Sequence, residues 1–237
     1  MQNHFFTKKI YFLLLTGGLV CLTSCTKVQK NFYPNGVLES EITYSRGEMN
    51  GPAVWYYEHG QKRMEALYEK GRLQGICTRY YRNGKKESVA CYRADTLEGE
   101  WLCYDEDGLL SERISYENGR KQGPYTAYHD GKQPMVEGFY ADDQFDGDWT
   151  YYDENGFVVG KAVFSHGKGE LEAFDNQNRL VRKVSYLNSQ KHGLEQFLNE
   201  KGEVTLMLLY EAGRLKDTVR VTPGSSGGLE SSVGETE

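Results

Sequence analysis

Apolar and polar residues alternate along most of this chain, in short runs that end at glycine-containing dipeptides. From Leu38 to Tyr44, every second position is Leu, Ser, Ile or Tyr, and the positions between them carry Glu, Glu and Thr. The same alternation runs from Leu110 to Tyr116 and from Val204 to Tyr210. A period of two predicts β-strands with one apolar face that ends in an aromatic ring and one charged face.

The strand pattern repeats along the chain at a fixed interval. Two series of aromatic residues recur every 24 residues, with a single step of 22 in each, which we place in the turn between Phe164 and Gly169. The series are Tyr44, Tyr68, Tyr92, Tyr116, Tyr140, Phe164, Tyr186 and Tyr210, and Tyr56, Tyr80, Tyr104, Tyr128, Tyr152 and Phe174. We expect these rings to form a structural aromatic ladder, each packing on its neighbours in adjacent repeats.

Each unit has two turns. Dipeptides such as Asn35-Gly36 and Asn83-Gly84 accept positive φ and predict tight hairpins at one edge, while glycines such as Gly47 and Gly71 mark the turns at the other. Such short connections leave no room for crossover helices, so neighbouring strands must be antiparallel. The predicted fold class is all-β: an elongated antiparallel β-meander of about seven to eight 24-residue β-hairpin repeats in a single twisted or curled sheet, behaving as a one-dimensional array.

The N-terminal segment has the features of an export signal. Lys8 and Lys9 precede an apolar run from Ile10 to Leu22, and Leu-Thr-Ser then leads to Cys25. This order is typical of a lipoprotein signal peptide, after which Cys25 is the lipid-attachment residue; a plain secretory signal that ends near a cysteine is the alternative. Thr26 after the cysteine favours the outer membrane of a Gram-negative-type bacterium, with periplasmic and surface orientations both open.

The remaining boundaries follow from composition. We predict a signal peptide over 1–24, a lipidated linker over 25–31, the repeat array over 32–217 and a disordered Gly/Ser/Glu tail over 218–237, which has too few apolar residues to bury.

Charge and motifs narrow the function classes. The net charge is −6 with both signs interspersed, so no nucleic-acid footprint is indicated. No Gly-x-Ser-x-Gly, phosphate loop or His-Glu-x-x-His motif occurs. We therefore expect no catalytic residues, no enzyme activity and no cofactor.

Metal binding is not expected either. The acidic residues Asp142, Asp143, Asp146 and Asp148 lack the spacing of an EF-hand loop and are interpreted as a solvated turn. The histidines at the turns are too far apart along the ribbon to share a zinc ion.

Three cysteines fall inside the array, namely Cys77, Cys91 and Cys103. The first interpretation is that they are small apolar fillers of the core. The alternative is a disulfide, for which Cys77–Cys91 across the Asn83-Gly84 hairpin is the pair to test.

The unit Tyr-x-x-Gly-x-x-x-Gly-x-Trp/Tyr-x-x-Tyr-x-x-x-Gly resembles the MORN-type repeat in its bacterial variant, found in proteins known as YwqK-like antitoxins. The resemblance covers residues 32 to about 216 and implies a β-hairpin array that serves as an interaction or membrane-proximal scaffold without catalysis. Asp95, Asp143 and Ser189 depart from the pattern by replacing the first glycine, and Asp217 replaces the second. An exported lipoprotein cannot reach a cytoplasmic toxin, so the antitoxin role does not carry over with the resemblance.

We therefore expect a non-catalytic, lipid-anchored scaffold of the cell envelope that binds a protein partner through its extended sheet. The alternative is a carbohydrate- or cell-wall-binding module, and a third possibility, contact with lipid headgroups, is disfavoured by the acidic charge. The candidate partner-binding residues are the extra second-strand aromatics Trp55, Trp101, Tyr125 and Trp149. Burial of the tryptophans favours the scaffold, and their exposure in one row favours the glycan.

Overall fold

The computed structural model describes residues 26–221 and 230–231, and these residues form one antiparallel β-sheet. The strands are β1 (Thr26–Phe32), β2 (Leu38–Ser45), β3 (Glu48–Tyr56), β4 (Lys62–Glu69), β5 (Arg72–Tyr80), β6 (Lys86–Arg93), β7 (Thr96–Tyr104), β8 (Leu110–Glu117), β9 (Arg120–Tyr128), β10 (Pro134–Ala141), β11 (Gln144–Tyr152), β12 (Val158–Ser165), β13 (Lys168–Phe174), β14 (Leu180–Leu187), β15 (Gln190–Leu198), β16 (Val204–Glu211), β17 (Arg214–Arg220) and the two-residue β18 (Glu230–Ser231).

Each strand pairs with its neighbours in sequence, so the sheet is a simple meander without crossovers. The predicted fold class is confirmed; the sheet is open and uncurled rather than curled along its length. Among the residues that the structure describes, no helix has the length and apolarity of a membrane span.

The first boundary of the array differs from the prediction. Residues 26–31, expected to be a linker, belong to β1, which pairs with β2 from Thr26 opposite Ser45 to Phe32 opposite Leu38. Among the described residues the array therefore includes Thr26 and continues past position 217 to the end of β17 at Arg220. The predicted signal peptide and most of the predicted tail lie outside the described residues.

The sheet has two distinct faces, and we call the more apolar one the inner face and the other the outer face. Directly opposed residues form a central row along the inner face, and many of its members are buried although no second layer covers the described sheet. The central row consists of Ile42, Ala53, Ala66, Cys77, Ala90, Trp101, Ile114, Tyr125, Gly138, Trp149, Ala162, Leu171, Val184, Glu195, Leu208 and Thr218.

The aromatic ladder divides between the faces. The series that begins at Tyr44 lies on the inner face beside the central row, where rings such as Phe164 and Tyr186 meet edge to face at 5.4 Å between centroids. The series that begins at Tyr56 lies on the outer face, where the hydroxyl of Tyr152 donates to Glu137 at 2.7 Å. The rings pack best around Trp149, so the core of the ribbon is centred on β10 to β14.

The two edges use different turns from those predicted. The Asn-Gly dipeptides lie in five-residue loops, which we call the loop edge; at the first of them Tyr33 N–H donates to Val37 O at 2.8 Å, and only Gly36 has positive φ. The tight two-residue turns lie at the opposite edge, which we call the turn edge, where both Arg46 and Gly47 have positive φ. That conformation matches the twist of the flanking strands.

The departures from the glycine pattern preserve the turn geometry. Ala94 and Asp95 both adopt positive φ, as Arg46 and Gly47 do. The Asp95 side chain accepts a hydrogen bond from Leu73 N–H at 2.7 Å, and its own N–H donates to Leu73 O at 2.9 Å. Asp143 does the same with Lys121. The aspartates therefore replace glycine with a side-chain link to the preceding unit, which offsets the strain of the left-handed conformation.

Candidate functional site

All four predicted partner-binding aromatics lie on the inner face, but not in one exposed row. Trp101, Tyr125 and Trp149 belong to the central row, whereas Trp55 stands one row nearer the loop edge, opposite Met64. Trp149 is buried at 3% exposure and stacks on Tyr125 with 5.5 Å between centroids. Trp55 and Trp101 are half-buried. Trp149 is thus a core residue, and Trp101 has the accessible ring in the middle of the sheet.

A notch lies beside Trp101 on its loop-edge side. Four residues face one another across consecutive strands to form a row: Arg79 on β5, Ser88 on β6, Cys103 on β7 and Glu112 on β8. The two small side chains make the floor between the two long charged ones. The resulting open concavity has a volume of about 440 Å³.

The walls of the notch are fixed by packing and by hydrogen bonds. On the central side, Trp101 packs against Tyr116 with 5.7 Å between centroids, and Ala90 leaves room in front of it. At the loop edge, the Tyr81 hydroxyl donates to Tyr104 O at 2.7 Å. These contacts fix the positions of the two walls.

The charges in the notch have no ionic partners. Within the described part of the chain, neither Arg79 nor Glu112 takes part in an ion pair; Glu112 accepts only a 3.4 Å contact from the Tyr125 hydroxyl. Burial and the nearby Glu112 carboxylate raise the pKa of that hydroxyl, so it stays protonated and remains a donor.

Burial makes the thiol on the floor a weak nucleophile at neutral pH. Burial raises the pKa of Cys103 to about 11, with contributions from the carboxylates of Glu112 and Glu87. The thiol is therefore protonated at neutral pH, and the thiolate is the reactive form. The arrangement suits recognition rather than covalent chemistry.

The other cysteines do not form the bridge considered from the sequence. Cys77 lies in the central row opposite Ala90, whereas Cys91 lies opposite Ile76 on the outer face. Strand alternation points their side chains to opposite sides of the sheet, so a Cys77–Cys91 disulfide cannot form without breaking the register. Cys77 is buried, Cys103 is half-buried and Cys91 is exposed, and all three thiols are free.

The two faces differ in charge. Along the strands, the inner face carries more cations than carboxylates, although the whole chain has a net charge of −6. The strand pairing places on it the cations Lys27, Arg79, Lys121, Arg182, Lys191 and Arg220 and the carboxylates Glu112 and Glu195. Arg63 and Glu87, beside irregularities in the pairing, also line concavities of this face. Two of the lysines sit over aromatic rings, such as Lys121 at 4.8 Å from the centroid of Tyr140. The carboxylates are correspondingly concentrated on the outer face and in the loops.

The acidic residues between Asp142 and Asp148 serve the turn edge. Asp146 accepts the N–H of His166 at 3.0 Å, and Asp142 pairs with Arg120 at 3.0 Å. In residues 26–221 and 230–231, no group of three or more His, Cys, Asp or Glu is arranged to hold a metal ion.

Two sets of residues with a role in or near the notch were not predicted from the sequence. One is the pair Arg79 and Glu112, which the alternation places on the inner face in a position otherwise filled by residues such as Met64 and Phe197. The other is the hydrogen-bonded series at the loop edge, in which the hydroxyls of Tyr33, Tyr57 and Tyr81 each donate to a backbone oxygen 23 residues further on at 2.7 Å. Their recurrence every 24 residues was the signal available for the second set.

Comparison with known proteins agrees with this geometry over the first half of the array. The family model described as "MORN repeat variant" matches residues 26–46, 49–70, 73–94 and 97–118. Four units of the chain are therefore similar to the MORN repeat variant. No curated protein sequence matches the chain.

Two solved structures resemble the repeat array weakly. "Crystal Structure of TcdB2-TccC3-Cdc42" is 13% identical, covers 90% of this chain and has a TM-score of 0.16. "Structure of Photorhabdus luminescens Tc holotoxin pore, Mutation TccC3-D651A" is 13% identical, covers 90% of this chain and has a TM-score of 0.15. The chain spans 15% of the length of each of those chains, and TM-scores this low do not establish a shared fold.

Proposed function

We propose that this protein is a non-catalytic scaffold that binds a protein partner through the inner face of its repeat sheet, with the notch beside Trp101 as the centre of the contact. The observation that carries the proposal is the notch itself: a half-buried tryptophan, tyrosines and an arginine surround small residues on an otherwise flat sheet. Trp, Tyr and Arg are the residues that contribute most to protein–protein binding when they line a preformed depression.

The proposed location of the scaffold is the cell envelope, which the order of basic, apolar and small residues before Cys25 supports. In this proposal a lipid on Cys25 anchors the chain in the outer membrane. Because β1 includes Thr26, the residue after Cys25, such an anchor would hold the first strand at the bilayer without a spacer.

The family resemblance supports a scaffold but supplies no partner. An antitoxin role requires a cytoplasmic target, which an exported lipoprotein does not meet. We therefore assign the binding function to a partner in the envelope.

A carbohydrate is the competing ligand, favoured by the half-buried Trp101 ring beside the Glu112 carboxylate and the Ser88 hydroxyl. Burial of Trp149 breaks the exposed aromatic row that stacking of a long glycan needs. This interruption of the aromatic row favours a protein.

The test is capture from envelope extract with the full-length protein in mild detergent, in parallel with a glycan array. We expect a specific protein to be recovered and to be lost with Trp101→Ala. The control is Leu102→Ala, which changes the adjacent residue on the outer face of the same strand. Saturable glycan binding without protein recovery contradicts the proposal and supports the carbohydrate module.

A further inference from the structure

The charges of the notch define the chemistry of the segment that fits it, given the protein-binding role proposed above. Arg79 and Glu112 are separated by three strand-to-strand steps, and each step is about 4.8 Å, so their Cα atoms lie about 14 Å apart. Only Ser88 and Cys103 stand between them in this row, and the Glu87 carboxylate also lines the concavity. The row therefore presents a cation and an anion at the two ends of a shallow trough.

Elsewhere on the inner face, one buried carboxylate is paired with two cations. Glu195, buried at 1% exposure, accepts a hydrogen bond from Lys191 Nζ at 2.8 Å and pairs with Arg182 on the neighbouring strand. The notch lacks such an arrangement, because two small residues hold its charges apart. An occupant that covers Arg79 and Glu112 without matching them would bury unpaired charges, which is costly.

We propose that the notch binds an extended segment of a protein partner that carries a carboxylate and, about four positions away, a basic side chain. An extended chain advances about 3.4 Å per residue, so four positions span about 14 Å. The carboxylate pairs with Arg79, the basic group pairs with Glu112, and the chain between them crosses the floor with Trp101 along one side. The cation excess of the inner face steers the acidic end of the segment toward the sheet.

The test uses full-length protein in mild detergent and fluorescein-labelled synthetic peptides of eight residues, measured by fluorescence anisotropy. The peptides carry one glutamate and one lysine separated by two, four or six positions on a serine-glycine background. We expect the spacing of four to bind most tightly. Replacing either charged residue by glutamine is expected to weaken binding about tenfold, as is Arg79→Gln, because each removes one charge-assisted contact.

Two variants make the assignment specific. Arg79→Glu is expected to reject the original peptide and to bind one that carries lysine in place of its glutamate. Arg113→Gln is the matched control, because Arg113 lies next to Glu112 on β8 but is on the outer face; it is expected to leave binding unchanged.

The outcomes separate this inference from the proposed function. Peptide binding that is independent of spacing, or that Arg113→Gln weakens as much as Arg79→Gln does, overturns the inference. Capture of an envelope protein that depends on Trp101, together with no peptide binding and no effect of Arg79→Gln on capture, supports the protein-binding scaffold. The same result shows that the inference of two charges four positions apart is wrong. If neither protein nor peptide binds, both are wrong.

Discussion

The indole of Trp149 on β11 occupies the space that a side chain at Gly138 on β10 would fill, so the absence of a Cβ at Gly138 makes room for the central ring of the core. The indole N–H reaches the carbonyl oxygens of Phe139 and Asp146, each at 3.2 Å, where the strand pairing is irregular. A single-layer sheet has no second layer to bury a tryptophan. The Gly138–Trp149 pair allows the ring to pack against the sheet to which it belongs.

The first prediction follows from that contact. Gly138→Ala is expected to destabilise the array by about 1–3 kcal/mol because the new methyl group overlaps the Trp149 ring. In a Trp149→Leu background the same change should cost less, giving a coupling between the two positions in a double-mutant cycle measured by urea unfolding. Equal costs in both backgrounds would show that the ring is not held against Gly138.

The second prediction concerns the loop edge. Tyr57→Phe removes the hydroxyl that donates to Tyr80 O at 2.7 Å and is expected to cost about 0.5–1.5 kcal/mol in urea unfolding. Tyr44→Phe is the control, because the Tyr44 hydroxyl makes no hydrogen bond within the described residues; it should be close to neutral. A loss of the same size at Tyr44 would mean that ring packing, not the hydrogen bond between units, sets the cost.

The third prediction is a pH dependence at Glu195. Burial opposes ionisation of this carboxyl, but hydrogen bonds from Lys191 and Arg182 outweigh it and lower the pKa below its ordinary value of 4.5. The folded chain therefore binds this proton less tightly than the unfolded chain. The stability that Glu195 contributes is fully present above pH 4.5 and is lost as the pH falls through the folded-state pKa.

Substitution gives the measurement. Glu195→Gln is expected to lower the free energy of unfolding by about 1–3 kcal/mol at pH 7 and to flatten its decline below pH 4.5. The control is Glu154→Gln, at an exposed loop position without an ion pair in the described chain. If the free energy of unfolding of the Glu195 variant declines below pH 4.5 as steeply as that of the unsubstituted protein, another group is responsible for the decline.

The fourth prediction concerns the thiols. Cys91, exposed on the outer face, is expected to react rapidly with a thiol reagent at pH 8, and Cys77 slowly, since burial raises the pKa of Cys77. Mass spectrometry after mild oxidation should find no Cys77–Cys91 bridge. Recovery of that bridge from folded protein would contradict the strand register.

The fifth prediction concerns the anchor. Cys25→Ala is expected to move the protein from the membrane fraction to the soluble fraction and to remove the mass of the attached acyl chains. Thr26→Ala leaves the cysteine in place and serves as the control. Unsubstituted protein that is found in the soluble fraction without acyl chains would favour the plain secretory signal, and membrane-bound protein without lipid at Cys25 would indicate another mode of attachment.

The alternation of residues and the 24-residue period determined most of the fold by themselves. Local physics is enough for such an array: each strand pairs with the next, so no long-range choice of topology arises. The same alternation placed Trp55, Trp101, Tyr125 and Trp149 on one face. It also indicated which tyrosines form the ladder on that face.

Tertiary structure decided what depends on neighbours in adjacent strands. Trp101 and Trp149 occupy equivalent positions in their repeats, yet Gly138 and Phe145 bury one ring while Ala90 leaves the other accessible. The distribution of turns between the two edges also escaped the sequence, since Asn-Gly dipeptides suit both a two-residue turn and a longer loop closed by a left-handed glycine. The notch exists because the register sets two small residues between Arg79 and Glu112, which lie 33 positions apart in the chain.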